Sequence, residues 1–140
     1  EDLGSSPVDG YHSLFRHNPF RQEVLLGGGN NNRRVFARLT KEGKIERLKD
    51  APVDLGVRAD RATIDPVTGR YLIMSSRDEG KGAQCFEFDS AKNEYRLVEA
   101  AGAQWPYSRS AMPVVAFIPE YGISMWAEQK VYLYKHDVPK

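Results

Sequence analysis

Short runs of β-branched, aromatic and aliphatic residues alternate with clusters of Gly, Pro, Asn and Asp along the whole chain. No stretch of about a dozen residues carries an apolar stripe at the 3.6-residue spacing of a helix. An all-β protein is therefore expected. Strands are predicted over 11–15, 23–26, 35–39, 45–48, 62–64, 71–74, 85–88, 95–98, 114–117, 123–126 and 131–134.

These runs repeat in order. Asn18-Pro19 returns 47 positions later as Asp65-Pro66, and Leu25-Leu26 returns at the same offset as Leu72-Ile73. A shorter version follows as Ile118-Pro119, Gly122-Ile123 and Met125-Trp126. An aromatic strand recurs as Val35-Phe36, as Cys85-Phe86-Glu87-Phe88 and as Val131-Tyr132-Leu133-Tyr134, with the alternation of a strand that buries one face. Pro7-Val8-Asp9 matches Pro52-Val53-Asp54 between the units, and Pro106 precedes the third.

Four short strands recurring at a period of about 45–50 residues are the pattern of β-propeller blades. A β-sandwich also spaces its strands every 8–12 residues or so, but gives no reason for Pro-Val-Asp and the Asx-Pro turn to repeat in register. The prediction is a propeller segment of about three four-stranded blades, over roughly 8–52, 53–106 and 107–136, the last lacking its outer strand. Rings of this kind close with about 4–8 blades. A partner is therefore expected: either the remaining blades of a longer parent chain or a second copy in a homo-oligomer. The longer parent is preferred here, because the few residues before Pro7 make a poor closing strand.

The units resemble kelch repeats and the galactose-oxidase-like propeller superfamily. Val24-Leu25-Leu26-Gly27-Gly28 is similar to the apolar run and double glycine that end a kelch second strand, with Phe36 near the first aromatic position. Phe86-Glu87-Phe88-Asp89 followed by Tyr95 is similar to the aromatic strand, Asp turn and second aromatic. Ser75-Ser76 stands in place of the double glycine in the second unit, and Ile45 in place of a Trp in the first. The resemblance implies a fold rather than an activity, and a secreted or periplasmic setting. The copper site of the family's oxidases is not carried over, since Cys85 is the only cysteine and no His pair supports it.

Charge narrows the field little. Lys and Arg total 20 against 19 Asp and Glu, so no net field draws the molecule toward nucleic acid or an anionic membrane. Apolar runs such as 112–118 are far shorter than the roughly 20 residues of a membrane span. One cysteine permits no intrachain disulfide, and the expectation is that no metal or other cofactor is held. Gly27-Gly28-Gly29 is not a phosphate loop: three Asn follow it, with neither Lys-Ser/Thr nor a helix.

Propeller ligands sit at the channel mouth, near the innermost strands. That singles out His12, Arg58, Asp60, Arg61 and Arg109, with Trp105 and Tyr107 as aromatic platforms beside them. Arginines with an Asp and a His recognise carboxylates or sugar hydroxyls through bidentate and charged hydrogen bonds. The plainer reading makes Arg58, Asp60 and Arg61 inter-blade ion pairs. His12 and His17 point to opposite faces of one strand and make a poor metal pair. Cys85 reads as core, Trp126, Tyr132 and Tyr134 as blade-to-blade packing, and His136 as an exposed tail residue. With no catalytic constellation apparent, the expected function is a non-catalytic module binding a protein or glycan. The alternatives are part of a lyase-like enzyme acting on polysaccharide, using His12, Arg58 and Arg109, and a purely structural half-ring.

Overall fold

The computed structural model describes residues 5–8, 13–55, 61–75, 83–99, 114–127 and 130–136, and of Arg61 the backbone alone. The described residues form eleven strands. They are β1 (Ser13–Asn18), β2 (Glu23–Gly28), β3 (Phe36–Leu39), β4 (Ile45–Arg47), β5 (Arg61–Ile64), β6 (Tyr71–Ser75), β7 (Gln84–Asp89), β8 (Glu94–Leu97), β9 (Val114–Ile118), β10 (Ile123–Ala127) and β11 (Val131–Lys135). A single 3-10 turn, Pro119–Tyr121, joins β9 to β10. The described residues contain no α-helix, and no helix long and apolar enough to cross a membrane.

The strands form three sheets, β1-β2-β3-β4, β5-β6-β7-β8 and β9-β10-β11, and within each sheet consecutive strands pair antiparallel. All eleven predicted strands are present, and the largest shift is in β1. It runs on through Arg16, His17 and Asn18, because β2 offers a ladder as far as Asn18 opposite Glu23. The following turn is set by Asn18, whose Oδ1 accepts from the amides of Phe20 at 3.1 Å and Arg21 at 3.3 Å. Asp65 holds the matching turn in the second sheet by accepting from the Val67 amide at 3.0 Å. Such Asx turns replace backbone partners that a tight bend leaves unmet.

The register sorts side chains to faces. Leu25 and Phe36 of the first sheet pack against Ile64, Tyr71, Ile73 and Phe88 of the second. Phe36 stacks on Phe88 with ring centroids 5.8 Å apart. On its other face the second sheet presents Leu72, Met74 and Cys85 to Trp126, Val115, Tyr132 and Tyr134 of the third. Burying each of these large side chains is worth about 1.5–3 kcal/mol, so the two interfaces hold the three sheets together. Gly27 is required by the first: a Cβ there would lie 2.1 Å from Cε1 of the fully buried Phe36 ring.

The step from first to second sheet is repeated from second to third. Phe20, in the β1–β2 turn, lies 3.2 Å from where a Cβ on Gly69 would be, and Val67, its equivalent 47 positions on, lies 3.3 Å from the same point on Gly122. Both glycines hold positive φ, 67° and 63°. The first strands of the three sheets are neighbours, β5 between β1 and β9, and Phe20 reaches Phe117 of β9 at 5.8 Å. Among the described residues the three sheets form no closed barrel or ring.

Candidate functional site

Strand β7 alternates strictly. Phe86 and Phe88 point toward the first sheet, while Cys85, Glu87 and Asp89 point the other way, where Glu87 stands opposite Leu72. A carboxylate with 2% of its side chain exposed needs partners. Arg70 Nη1 donates to Glu87 Oε1 at 2.8 Å and Arg96 Nε to Oε2 at 2.8 Å. Arg70 also donates to Asp89 at 3.2 Å, whose other oxygen accepts from Arg21 at 2.8 Å.

The chain of charges then crosses between sheets. Arg21 donates to Ser90 Oγ at 3.1 Å, and Ser90 in turn donates to Glu23, which also accepts from the Tyr71 hydroxyl at 3.1 Å. Arg38 bridges Glu23, Glu46 and the Ser90 carbonyl. Arg21, Arg38, Arg70 and Arg96 thus balance Glu23, Glu46, Glu87 and Asp89 one for one.

Burial pushes the Glu87 carboxyl up, yet the hydrogen bonds and charges of Arg70 and Arg96 outweigh it and hold Glu87 below its ordinary value. Burial likewise opposes ionisation of Asp89, and Arg21 with the Ala91 and Lys92 amides outweighs it. Hydrogen bonding to Glu87 raises Arg70, and hydrogen bonding to Glu46 raises Arg38. Beside Glu87 lies a cleft of about 130 Å³ whose walls include Arg70, Asp89, Lys92, Tyr95 and Arg96. Ligand pockets usually measure about 300–1,000 Å³; this one suits a few waters, at about 30 Å³ each.

A second cluster joins the second and third sheets. Donor atoms of Asp65, Glu87 and His136 all lie within 4.8 Å of one another. His136 Nδ1 is 3.2 Å from Asp65 Oδ2 and 3.3 Å from the Tyr134 hydroxyl. Burial, then the charges of Asp65 and Glu87, push the Tyr134 phenol up to about 12. Two carboxylates and an imidazole are metal-ligand types, but both Glu87 oxygens are held by arginines, and Asp65 accepts from Thr68 Oγ1 at 2.6 Å and from the Val67 amide. A cation there would compete with those bonds for the same oxygens. His136, expected as an exposed tail residue, is instead mostly buried, because β11 carries it over Asp65.

His12, Arg58, Asp60, Trp105, Tyr107 and Arg109 lie outside the described residues, as does the side chain of Arg61, whose backbone opens β5 opposite Met74. Cys85 is fully buried, and burial, with the Glu87 charge behind it, pushes its thiol up to about 12, which leaves it without thiolate reactivity near neutral pH. The ionic network was missed in the sequence, although it left a signal: Glu87 and Asp89 alternate with two phenylalanines on one strand, which places acids on a face equivalent to that of Leu25.

No family model matches the chain, and neither a curated protein nor a solved structure matches it. The fold and network define an all-β protein of three stacked antiparallel sheets, the first two linked by the partly buried Arg21–Asp89 ion pair.

Proposed function

We propose that the chain is a run of three blades of a kelch-like β-propeller, serving as a non-catalytic module that binds a protein or glycan through loops at the channel mouth. The observation carrying this reading is the repeated step between sheets. Phe20 meets Gly69 as Val67 meets Gly122, and β1, β5 and β9 lie side by side as innermost strands do. A sandwich pairs two sheets face to face, whereas here the middle sheet is covered on both faces.

The non-catalytic part of the reading draws on the chemistry of the described acids. Glu23, Glu87 and Asp89 are engaged by arginines or hydroxyls, which leaves none of them poised as a general base. Loops carrying Arg58 and Arg109 are the binding elements in this proposal. A panel of acidic and neutral oligosaccharides is the test, read by calorimetry for binding and by ultraviolet absorbance for unsaturated products. Binding without product, lost in Arg58→Ala and Arg109→Ala with unchanged circular dichroism, is the expected result. Release of unsaturated sugar would replace the module by a lyase.

A further inference from the structure

Strand register gives the third sheet two faces of opposite fate. One, with Trp126, Tyr132 and Tyr134, packs on the second sheet. The other offers nine positions, three from each strand, and all are apolar except Lys135 at the end of β11. Not one of the nine is buried, and Val114, Val131 and Leu133 are 66%, 64% and 64% exposed. Their equivalents on the second sheet are shut away: Met125 corresponds to Leu72 (0% exposed), Val131 to Cys85 (0%) and Leu133 to Glu87 (2%).

We propose that this open face docks a second copy of this chain, head to tail, against the open face of the first sheet of that copy. The inference rests on the blade reading and names its partner. Both internal interfaces join unlike faces in the same order, so each copy is left with one unmatched face of each kind. The unmatched face of the first sheet carries Phe15, Val24, Leu39 and Ile45 around the already buried Leu26 and Ala37, with His17 and Arg47 as its polar positions.

Val8 lies across that face, packed on Leu26 and Ala37. Its counterpart Val53 packs within the interface of the first two sheets without preventing their contact. In the joined pair, β9 of one copy meets β1 of the other, continuing the line from β1 through β5 to β9. Two copies supply six sheets, inside the range of about 4–8 at which propellers close. A composition apolar at eight of nine positions suits such burial.

The internal interfaces also fix the register. Phe36 stacks on Phe88; Val131 corresponds to Phe36 and Leu39 to Phe88, so Val131 meets Leu39 of the other copy. The test uses the whole chain. Light scattering is expected to give twice the chain mass, and Leu133→Glu, a change at an exposed side chain, to weaken the dimer about thirtyfold or more, as loss of a central anchor does. An equimolar mixture of Val131→Cys and Leu39→Cys chains, treated with a bis-maleimide spanning about 10 Å, the separation of packed sheets, is expected to give the mixed crosslink, with buried Cys85 as a silent background.

A single chain mass overturns the second copy as occupant and leaves the blade reading standing. Doubled mass with Val131→Cys chains crosslinked to one another by the same reagent overturns both, since the sheets would then pack back to back as a sandwich. A dimer indifferent to Leu133→Glu also overturns the proposal.

Discussion

The second and third sheets are built from matching strands, yet their equivalent side chains live in different surroundings. Every residue of β6 is buried, while in β10 only Ser124 and Trp126 are. Leu72 and Met125 occupy the same place in the repeat; one is sealed between two sheets and the other faces outward. Position in the stack, and not the strand itself, therefore decides what a side chain contributes. The charged positions follow the same rule. Glu87 sits under a neighbouring sheet and requires two arginines, whereas its equivalent Leu133 stands exposed and apolar.

The largest effect expected from this contrast is in the matched pair Leu72→Ala and Met125→Ala. Leu72 fills the core between two sheets that cannot collapse independently, so its truncation should cost about 2–5 kcal/mol. Met125 is half-buried on the open face, and Met125→Ala should cost less, about 1 kcal/mol. Urea unfolding at concentrations dilute enough for a single chain reads both. Equal losses would mean that the open face is covered in the isolated chain, and the comparison would break.

Gly27→Ala comes next. The added methyl would fall 2.1–2.3 Å from the Phe36 ring, and Phe36 is held by Phe88 behind it. Overpacking of this kind costs about 1–3 kcal/mol, and a lowered thermal midpoint with a weakened near-ultraviolet signal would report it. At Gly122 the nearest atom stands at 3.3 Å, and the cost of alanine there comes instead from its φ of +63°, about 1–2 kcal/mol. Pairing Gly27→Ala with Phe36→Leu should recover stability, a rescue that Gly122→Ala should not show.

Much of this architecture was legible because burial imposes alternation. The Phe86-Glu87-Phe88-Asp89 run could only be a strand with unlike faces, and the Asx-Pro and Gly positions marked the turns that Asn18 and Asp65 make. Strand ends were less legible. The apolar run that predicts the first strand ends at Phe15, and it is the pairing partner in β2 that keeps Arg16, His17 and Asn18 extended. The candidate ligand residues lie outside the described residues, the backbone of Arg61 excepted, while the network that the structure does show joins residues up to 69 positions apart. Local pattern carries no information on such pairing. His136 was misjudged for a related reason: nearness to the C-terminus said nothing about where β11 would deliver it.

The smallest expected effect concerns the ion pairs that distinguish the middle sheet. Glu87→Gln keeps the shape and removes the charge, leaving Arg70 and Arg96 to turn toward water, which they reach with 31% and 63% of their side chains already exposed. That relief limits the loss to about 1–2 kcal/mol. Glu87 and Asp89 are held below their ordinary values in the folded chain, so the unfolded chain binds protons more readily. Their contribution is therefore complete above the unfolded values near pH 4 and is lost as pH falls through the lower folded ones. Melting followed from about pH 6 down to about pH 2 should show wild type losing stability in that acid window and Glu87→Gln losing less of it, the two curves converging at the acid end. A Tyr121→Gln control, at an exposed side chain in the turn before β10, should run parallel to wild type throughout. Parallel curves for Glu87→Gln would mean that the carboxylate contributes nothing through its charge, and the contrast between the two sheets would then reduce to apolar burial alone.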